Sequence, residues 1–92
     1  MDLNELRVEI DKVDRELVAL LERRLDVAAA IADWKQSQGL PVLDKSRERA
    51  KIAAVRALCR PETADLIAGL YGPIMAACRE HEERRMETSH GK

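Results

Sequence analysis

The feature that most restricts the fold of this sequence is an apolar repeat near its start. Apolar residues recur every seven positions in two registers, Leu3, Ile10, Leu17 and Ile31 in one and Leu6, Val13, Leu20, Val27 and Trp34 in the other. This spacing places both registers, here called the seam, on one side of an α-helix, as in a coiled coil. Gly39 and Pro41, in "QGLP", are typical of a helix end. The pattern predicts one long amphipathic helix over about residues 3–37.

The length of this helix predicts a partner chain. At ~1.5 Å per residue it would be roughly 50 Å long, whereas a lone small domain is only ~30 Å across. A chain of 92 residues also has a core of marginal size. The rest of the chain is too short to cover the seam, so we expect a second copy of the long helix to cover it, in a homodimer.

Two shorter helices are predicted after a short extended connection, "LPVLD". Asp44 or Ser46 can cap the start of the second helix, over about residues 45–59. The segment "RPET" then interrupts the pattern, and Pro61 is tolerated at the start of a third helix, over about residues 62–86. The chain is thus predicted to form one long, one short and one medium helix.

Pro73 lies inside the third helix, where it removes one hydrogen bond and crowds the carbonyl group four residues earlier. That carbonyl belongs to Gly69, and Gly72 adjoins the proline, so we expect a local kink and an unbroken helix. The polar residues 87–92 are predicted to form a frayed tail.

Composition supports an all-α fold in a single domain, residues 1–92. Phe is absent, and Trp34 and Tyr71 are the only aromatic residues, which suits packed helices better than a sheet. Lys and Arg number 16 against 17 Asp and Glu, so no overall field attracts nucleic acid or an anionic membrane. No apolar run could span a bilayer, and the acidic start "MDLNELRVE" is unlike a secretory signal, so we expect a cytoplasmic location.

The two cysteines are predicted to be reduced thiols. Cys59 and Cys78 lack the CxxC spacing or the nearby His of a zinc or redox site. We therefore expect no disulfide and no zinc or redox site at these two residues.

Cations interrupt the buried side of the long helix. Arg24 is the only polar residue in the seam registers, and it requires a partner if it is buried. An ion pair across the seam, or a charge that fixes helix register, explains Arg24 as well as a binding role does. Lys35 lies about three turns further, ~20° off the same face and ~16 Å along the axis. The two side chains could hold an anionic small molecule between them.

Arg7 cannot share that molecule within one chain. It lies seventeen residues before Arg24, roughly 25 Å away and ~100° around the helix. In a symmetric pair of antiparallel long helices, however, Arg7 of one chain could approach the Arg24 region of the other.

The shorter helices carry further candidates, each with a plain structural alternative. Arg47 and Glu48 lie in the first turn of the second helix, where a solvated cation and an acid at a positive helix end are common. Glu82 continues the inner stripe of Ile67, Tyr71, Ile74 and Cys78. It is either an inner carboxylate or part of a frayed end that meets water.

Taken together, these residues resemble the all-helical (AroQ-type) chorismate mutases. The shared pattern is LRxxIDxxDxxLxxLLxxR, then a Lys, then PVxDxxRE, and "YGPIMAACREHE" is similar to the third-helix motif of the family. The resemblance extends from about Leu3 to Glu82. It implies an intertwined homodimer of three-helix chains with two sites.

The resemblance also implies an isomerase reaction, the Claisen rearrangement of chorismate to prephenate on the route to phenylalanine and tyrosine. This pericyclic step requires no nucleophile, metal or cofactor. It requires a site that holds the folded conformer and stabilises the charge that develops on the breaking ether.

The family motif implies a role for each candidate. Arg7 from the partner chain and Arg24 would grip the two carboxylates of the substrate, because the planar fork of Arg suits a carboxylate. Lys35 would reach the ether oxygen and a carboxylate, and Arg47 would supply a further cation. Asp44 and Glu48 match acids near the ring hydroxyl.

Two positions depart from a common form of the motif. Cys78 stands where many relatives have Ser, so a weak thiol hydrogen bond replaces a hydroxyl one. Glu82 stands where many have Gln beside the ether oxygen, and an ionised carboxylate cannot donate there. We therefore expect Glu82 to act in its protonated form, with a pKa raised by burial.

Three other functions compete with this one. The same fold could carry an isochorismate pyruvate-lyase or a mutase that acts on 4-amino-4-deoxychorismate, although Asp44 and Glu48 favour the hydroxyl of chorismate. A catalytically silent helical dimer that regulates an enzyme of the aromatic pathway is a different class. The resemblance also allows a partner enzyme of that pathway.

Overall fold

A computed structural model of the protein describes residues 1–90 and shows three α-helices in this range and no strand. Helix α1 spans Leu3–Ser37, α2 spans Lys45–Leu58 and α3 spans Ala64–His90. The prediction of an all-α chain with one long helix is confirmed. Within the described residues, no helix is both long enough and apolar enough to cross a bilayer.

Short-range hydrogen bonds set where the helices begin and end. Asp2 caps α1 by accepting a hydrogen bond from the Glu5 amide at 2.8 Å. Asp44, and not the alternative Ser46, caps α2 by accepting from the Arg47 amide at 3.0 Å. Gly39 has a φ of 68° after the end of α1, which is the left-handed conformation expected of it.

Helix α3 differs from its prediction at both ends. It begins at Ala64 instead of about residue 62, runs through Pro73 without a break, and continues to His90. The structure continues α3 as a helix to His90, past residue 87, where the sequence predicts a frayed tail, and residues 91–92 lie outside the described residues. Polar residues do not prevent a helix here, because Glu, Arg and Met have high helix propensity and Arg84 pairs with Glu80 one turn away.

Helix α3 packs against both α1 and α2 and forms a small core with them. The chain measures 55 × 28 × 15 Å, so it is elongated along α1. Small side chains dominate the buried apolar positions, which are Ala28, Ala32, Val55, Ala68, Met75 and Cys78.

The seam of α1 is left uncovered by its own chain. All nine apolar residues of the two registers are exposed, from 44% for Ile31 to 60% for Leu3, Ile10 and Trp34. Contiguous apolar surface of this extent is typical of an interface and is rare on the surface of a monomer. A single chain therefore buries only part of the face that its longest helix presents.

Candidate active site

A cavity of about 410 Å³ lies where the second half of α1, the first half of α2 and the second half of α3 meet. Seven of the eight residues predicted for the site line it, namely Arg24, Lys35, Asp44, Arg47, Glu48, Cys78 and Glu82. These residues come from positions as far apart as 24 and 82, so the fold brings together what the sequence separates.

Arg24 is half-buried at one end of the cavity. Its Nη1 donates to Cys78 Sγ at 3.0 Å, and its guanidinium carbon lies 5.7 Å from the centroid of the Tyr71 ring. Among the described residues, no carboxylate of the same chain forms an ion pair with Arg24. A guanidinium has five N–H donors, and most of them are available to an anion in the cavity.

Lys35 is half-buried about three turns further along α1. Its Nζ donates to the carbonyl oxygen of Val42 at 2.8 Å, which ties the end of α1 to the connection before α2. An ammonium group has three donors, so this contact leaves two for a ligand. The hydrogen bond to Val42 therefore holds the Lys35 charge at the edge of the cavity.

Helix α2 presents its first turn to the same space. Asp44 lines the cavity and also caps the helix through Oδ1, which leaves its second oxygen available. Arg47 is exposed, and no ion pair to it is present in the described structure. Glu48 is half-buried and pairs with Arg79 of α3, whose Nη1 lies 3.2 and 3.0 Å from its two carboxylate oxygens.

Glu82 is the buried acid of the site, with only 7% of its surface exposed. The alternative of a frayed end is wrong for this residue, because α3 continues beyond it and its side chain faces the cavity. Burial is the largest cause acting on the pKa of Glu82 and raises it, since the charged form loses hydration. Lys35 and Arg24 lower the pKa, Glu48 raises it, and the net result is a pKa above the ordinary value for Glu.

Arg7 lies apart from the cavity of its own chain. It is exposed in the first turns of α1, and about 25 Å of helix separate it from Arg24. The structure of one chain therefore does not bring Arg7 to the other seven residues.

Two further cations, Lys51 and Arg79, line the cavity and were not predicted from the sequence. Lys51 lies four residues after Arg47, and Arg79 lies three residues before Glu82. Side chains at these spacings share a helix face, so the positions of Arg47 and Glu82 already contained the signal.

The cavity carries an excess of positive charge. Five cations and three carboxyl groups line it, which leaves a net charge of two, or of three when Glu82 is protonated. The rest of the lining includes the apolar side chains of Val27, Ile31 and Met75. A cationic cavity with apolar walls suits a small, mostly apolar molecule with carboxylate groups.

Comparison with known proteins identifies the family. The sequence model of the family described as chorismate mutase type II matches residues 6–83 of this chain. The chain belongs to the chorismate mutase type II family. The matched range begins before Arg7 and includes Glu82, so it covers every candidate site residue, and the resemblance to AroQ-type chorismate mutases is confirmed.

Three relatives illustrate the range of this family. The chain is 41% identical over 73 residues to the T-protein of Haemophilus influenzae, covering 79% of this chain and 19% of that protein. It is 31% identical over 68 residues to the chorismate mutase of Methanocaldococcus jannaschii, covering 74% and 69%. It is 31% identical over 90 residues to the bifunctional chorismate mutase/prephenate dehydratase of Aquifex aeolicus, covering 90% and 24%.

The chain thus spans about a quarter or less of two of these relatives, and about two thirds of the third. No solved structure shows a significant match. The family and the relatives support a chorismate mutase, which is an isomerase of aromatic biosynthesis. None of the matches favours a lyase, an amino-substrate mutase or a silent module.

Proposed function

We propose that this chain converts chorismate to prephenate in the cavity between its three helices. One observation carries the proposal: Arg24 and Lys35, both half-buried, face the same cavity as the buried carboxyl group of Glu82. Chorismate is a small dicarboxylate, and a net positive cavity with apolar walls matches it in charge and polarity.

Binding is assigned mainly to the cations. Arg24 keeps free N–H donors besides the one that contacts Cys78, so it can bind one carboxylate of the substrate through its planar fork. Arg47, which lines the cavity, is exposed and has no ion pair among the described residues, supplies a second cation. Glu48, on the α2 side of the cavity, accepts the hydrogen bond that the ring hydroxyl donates, and Asp44 lines the same side.

The chemistry is assigned to Lys35 and Glu82. In the rearrangement the ether C–O bond breaks as a C–C bond forms within the same molecule, and negative charge develops on the ether oxygen. Donors aimed at that oxygen bind the transition state more tightly than the ground state. Lys35 Nζ is one such donor, and protonated Glu82 is the other. Because the step is unimolecular, holding the folded conformer supplies much of the remaining acceleration.

The oligomer is part of the proposal. We propose an intertwined homodimer in which a second copy covers the seam of α1 and delivers Arg7 to the cavity of its partner. Two observations support it: the nine seam residues are exposed in one chain, and the cavity lacks Arg7 of its own chain. Each of the two sites would then contain residues of both chains.

A cytoplasmic location and a partner enzyme complete the proposal. The location rests on the biosynthetic reaction of the family. A partner enzyme of the aromatic pathway is suggested by the Aquifex relative, whose name joins a chorismate mutase to a prephenate dehydratase in one longer protein.

Arg24→Met and Lys35→Met separate this function from a silent helical dimer. If the two cations only pack, their apolar replacement should leave stability unchanged or raised. If they bind the transition state, each replacement should lower kcat/KM for chorismate by about 100-fold or more, the usual effect of removing one preorganised donor. Urea unfolding measures the stability, and the loss of chorismate absorbance measures kcat/KM, on the same samples.

Arg23→Met is the matched control, because Arg23 adjoins Arg24 on α1 but is exposed and does not line the cavity. It should retain wild-type turnover. Equal turnover in all four proteins would refute the proposed function.

A further inference from the structure

Arg79 is a cavity residue to which the family motif assigns no role. It follows Cys78 on α3, and its Nη1 donates to both carboxylate oxygens of Glu48 on α2, at 3.2 and 3.0 Å. The two side chains are 30% and 28% exposed, so this pair is better shielded from water than the other ion pairs of the described residues. Among those ion pairs it alone joins two residues that line the cavity.

The ion pair with Arg79 sets the charge and the hydrogen-bond acceptor sites that Glu48 presents to a ligand. Two other cations, Arg47 and Lys51, lie beside Glu48 on α2, yet neither is ion-paired with it in the described structure. An ionised carboxylate has about four acceptor sites, so the contact with Arg79 leaves room for another donor. The contact also offsets the negative charge that Glu48 would otherwise present to the cavity.

We propose that Arg79 is a specificity-determining residue that acts through Glu48. By pairing with this acid, Arg79 makes the site favour a neutral hydroxyl donor on the substrate ring over a cationic amine. The inference rests on the proposed function, in which Glu48 accepts a hydrogen bond from the ring hydroxyl.

The physical reason is the charge of the competing donor. An aliphatic amino group in place of the ring hydroxyl is protonated near neutral pH. An unpaired carboxylate would attract this ammonium group, whereas a carboxylate already paired with a guanidinium attracts it little, and the nearby guanidinium repels it. A hydroxyl carries no charge, so its hydrogen bond to Glu48 depends much less on Arg79.

The experiment compares kcat/KM for chorismate with kcat/KM for the analogue that carries the amino group. In Arg79→Gln the ratio of analogue to chorismate should rise about fivefold, the scale of one partly exposed ion pair. Arg79→Lys keeps the charge and should keep the wild-type ratio. Arg85→Gln is the matched control. Arg85 lies on α3, as Arg79 does, and pairs with Asp33 of α1, but it does not line the cavity.

Glu48→Gln tests the same inference in the opposite direction. It leaves the Arg79 charge without its partner, so the ratio of analogue to chorismate should fall below that of the wild type. In the double variant Glu48→Gln/Arg79→Gln, the removal of Arg79 should no longer raise the ratio above the wild-type value.

The outcomes separate this inference from the proposed function. If the wild type turns over neither substrate, both are refuted. If the wild type turns over chorismate but the ratio stays constant in Arg79→Gln and Glu48→Gln, only the role of Arg79 is refuted. An equal loss on both substrates in Arg79→Gln would likewise overturn it, because it would indicate general support of the site.

Discussion

Replacing Glu82 by Gln should remove most of the pH dependence of turnover. Glu82 is 7% exposed, and burial raises its pKa above the ordinary value despite the opposing charges of Lys35 and Arg24. Only the protonated carboxyl group can donate to the ether oxygen, so wild-type kcat/KM should fall as the pH rises through that pKa. Above it, the protonated fraction falls about tenfold per pH unit.

The size of the fall follows from the loss of one donor. Ionised Glu82 donates nothing and adds a negative charge beside the developing oxyanion, so its activity should be about 100- to 1000-fold below that of the protonated form. The Gln amide donates at every pH, so the profile of Glu82→Gln should be flat over the same range. Steady-state kinetics at constant ionic strength from acidic to alkaline pH measure both curves.

Stability provides a second readout for the same group. A pKa that is raised in the folded state means that the folded chain binds the proton more tightly than the unfolded chain. The resulting stabilisation is present at pH values below the ordinary pKa of Glu and is lost as the pH rises through the raised one. In urea unfolding, Glu82→Gln should lack this pH-dependent stabilisation.

Glu87→Gln serves as the control, because Glu87 is exposed on the same helix and does not line the cavity. Its pH–rate profile should match that of the wild type. A wild-type rate that stays constant from weakly acidic to alkaline pH would refute the role of protonated Glu82, and so would an unchanged profile in Glu82→Gln.

Three further predictions concern packing, turnover and assembly. Ala32→Leu should destabilise the chain by about 1–3 kcal/mol in urea unfolding, because Ala32 is fully buried and a larger side chain overpacks a close-packed position. Cys78→Ser should retain or raise kcat/KM, because a hydroxyl oxygen accepts the Arg24 hydrogen bond better than sulfur does. Mixing inactive Arg7→Ala and Arg24→Ala chains should restore turnover through heterodimers with one intact site, and a mixture that stays inactive would contradict a shared site.

Much of the fold could be predicted from the sequence because its signals are local. The seven-residue apolar repeat defines the long helix. Gly39 marks the end of that helix, and Asp44 marks the start of the next one. The end of α3 was predicted too early, because the polar character of the tail was given more weight than its helix propensity. Contacts between helices are not local signals: the Asp33–Arg85 ion pair, which joins α1 to α3, depends on residues 52 positions apart.

The candidate site was predictable in part, and for a different reason. Arg24 stands out because it interrupts an apolar stripe, and Glu82 because it continues one. Helix geometry also indicated Arg7, Lys35, Arg47 and Glu48, and the family motif added Asp44, Cys78 and a role for each residue. Arg79 and Lys51 interrupt no stripe, so their one signal in the sequence is that they share a helix face with Glu82 and Arg47, respectively. The choice of Arg79 over Arg47 or Lys51 as the partner of Glu48 likewise depends on the packing of α3 against α2.

The most direct test of the central claim is to identify the product that the purified chain forms from chorismate. We predict that chorismate absorbance is lost with turnover and that brief acid treatment converts the product to phenylpyruvate, as expected of prephenate. In the Lys35→Met variant both changes should be slower by about 100-fold or more. Absence of turnover by the wild-type chain, or release of pyruvate in place of prephenate, would contradict the account.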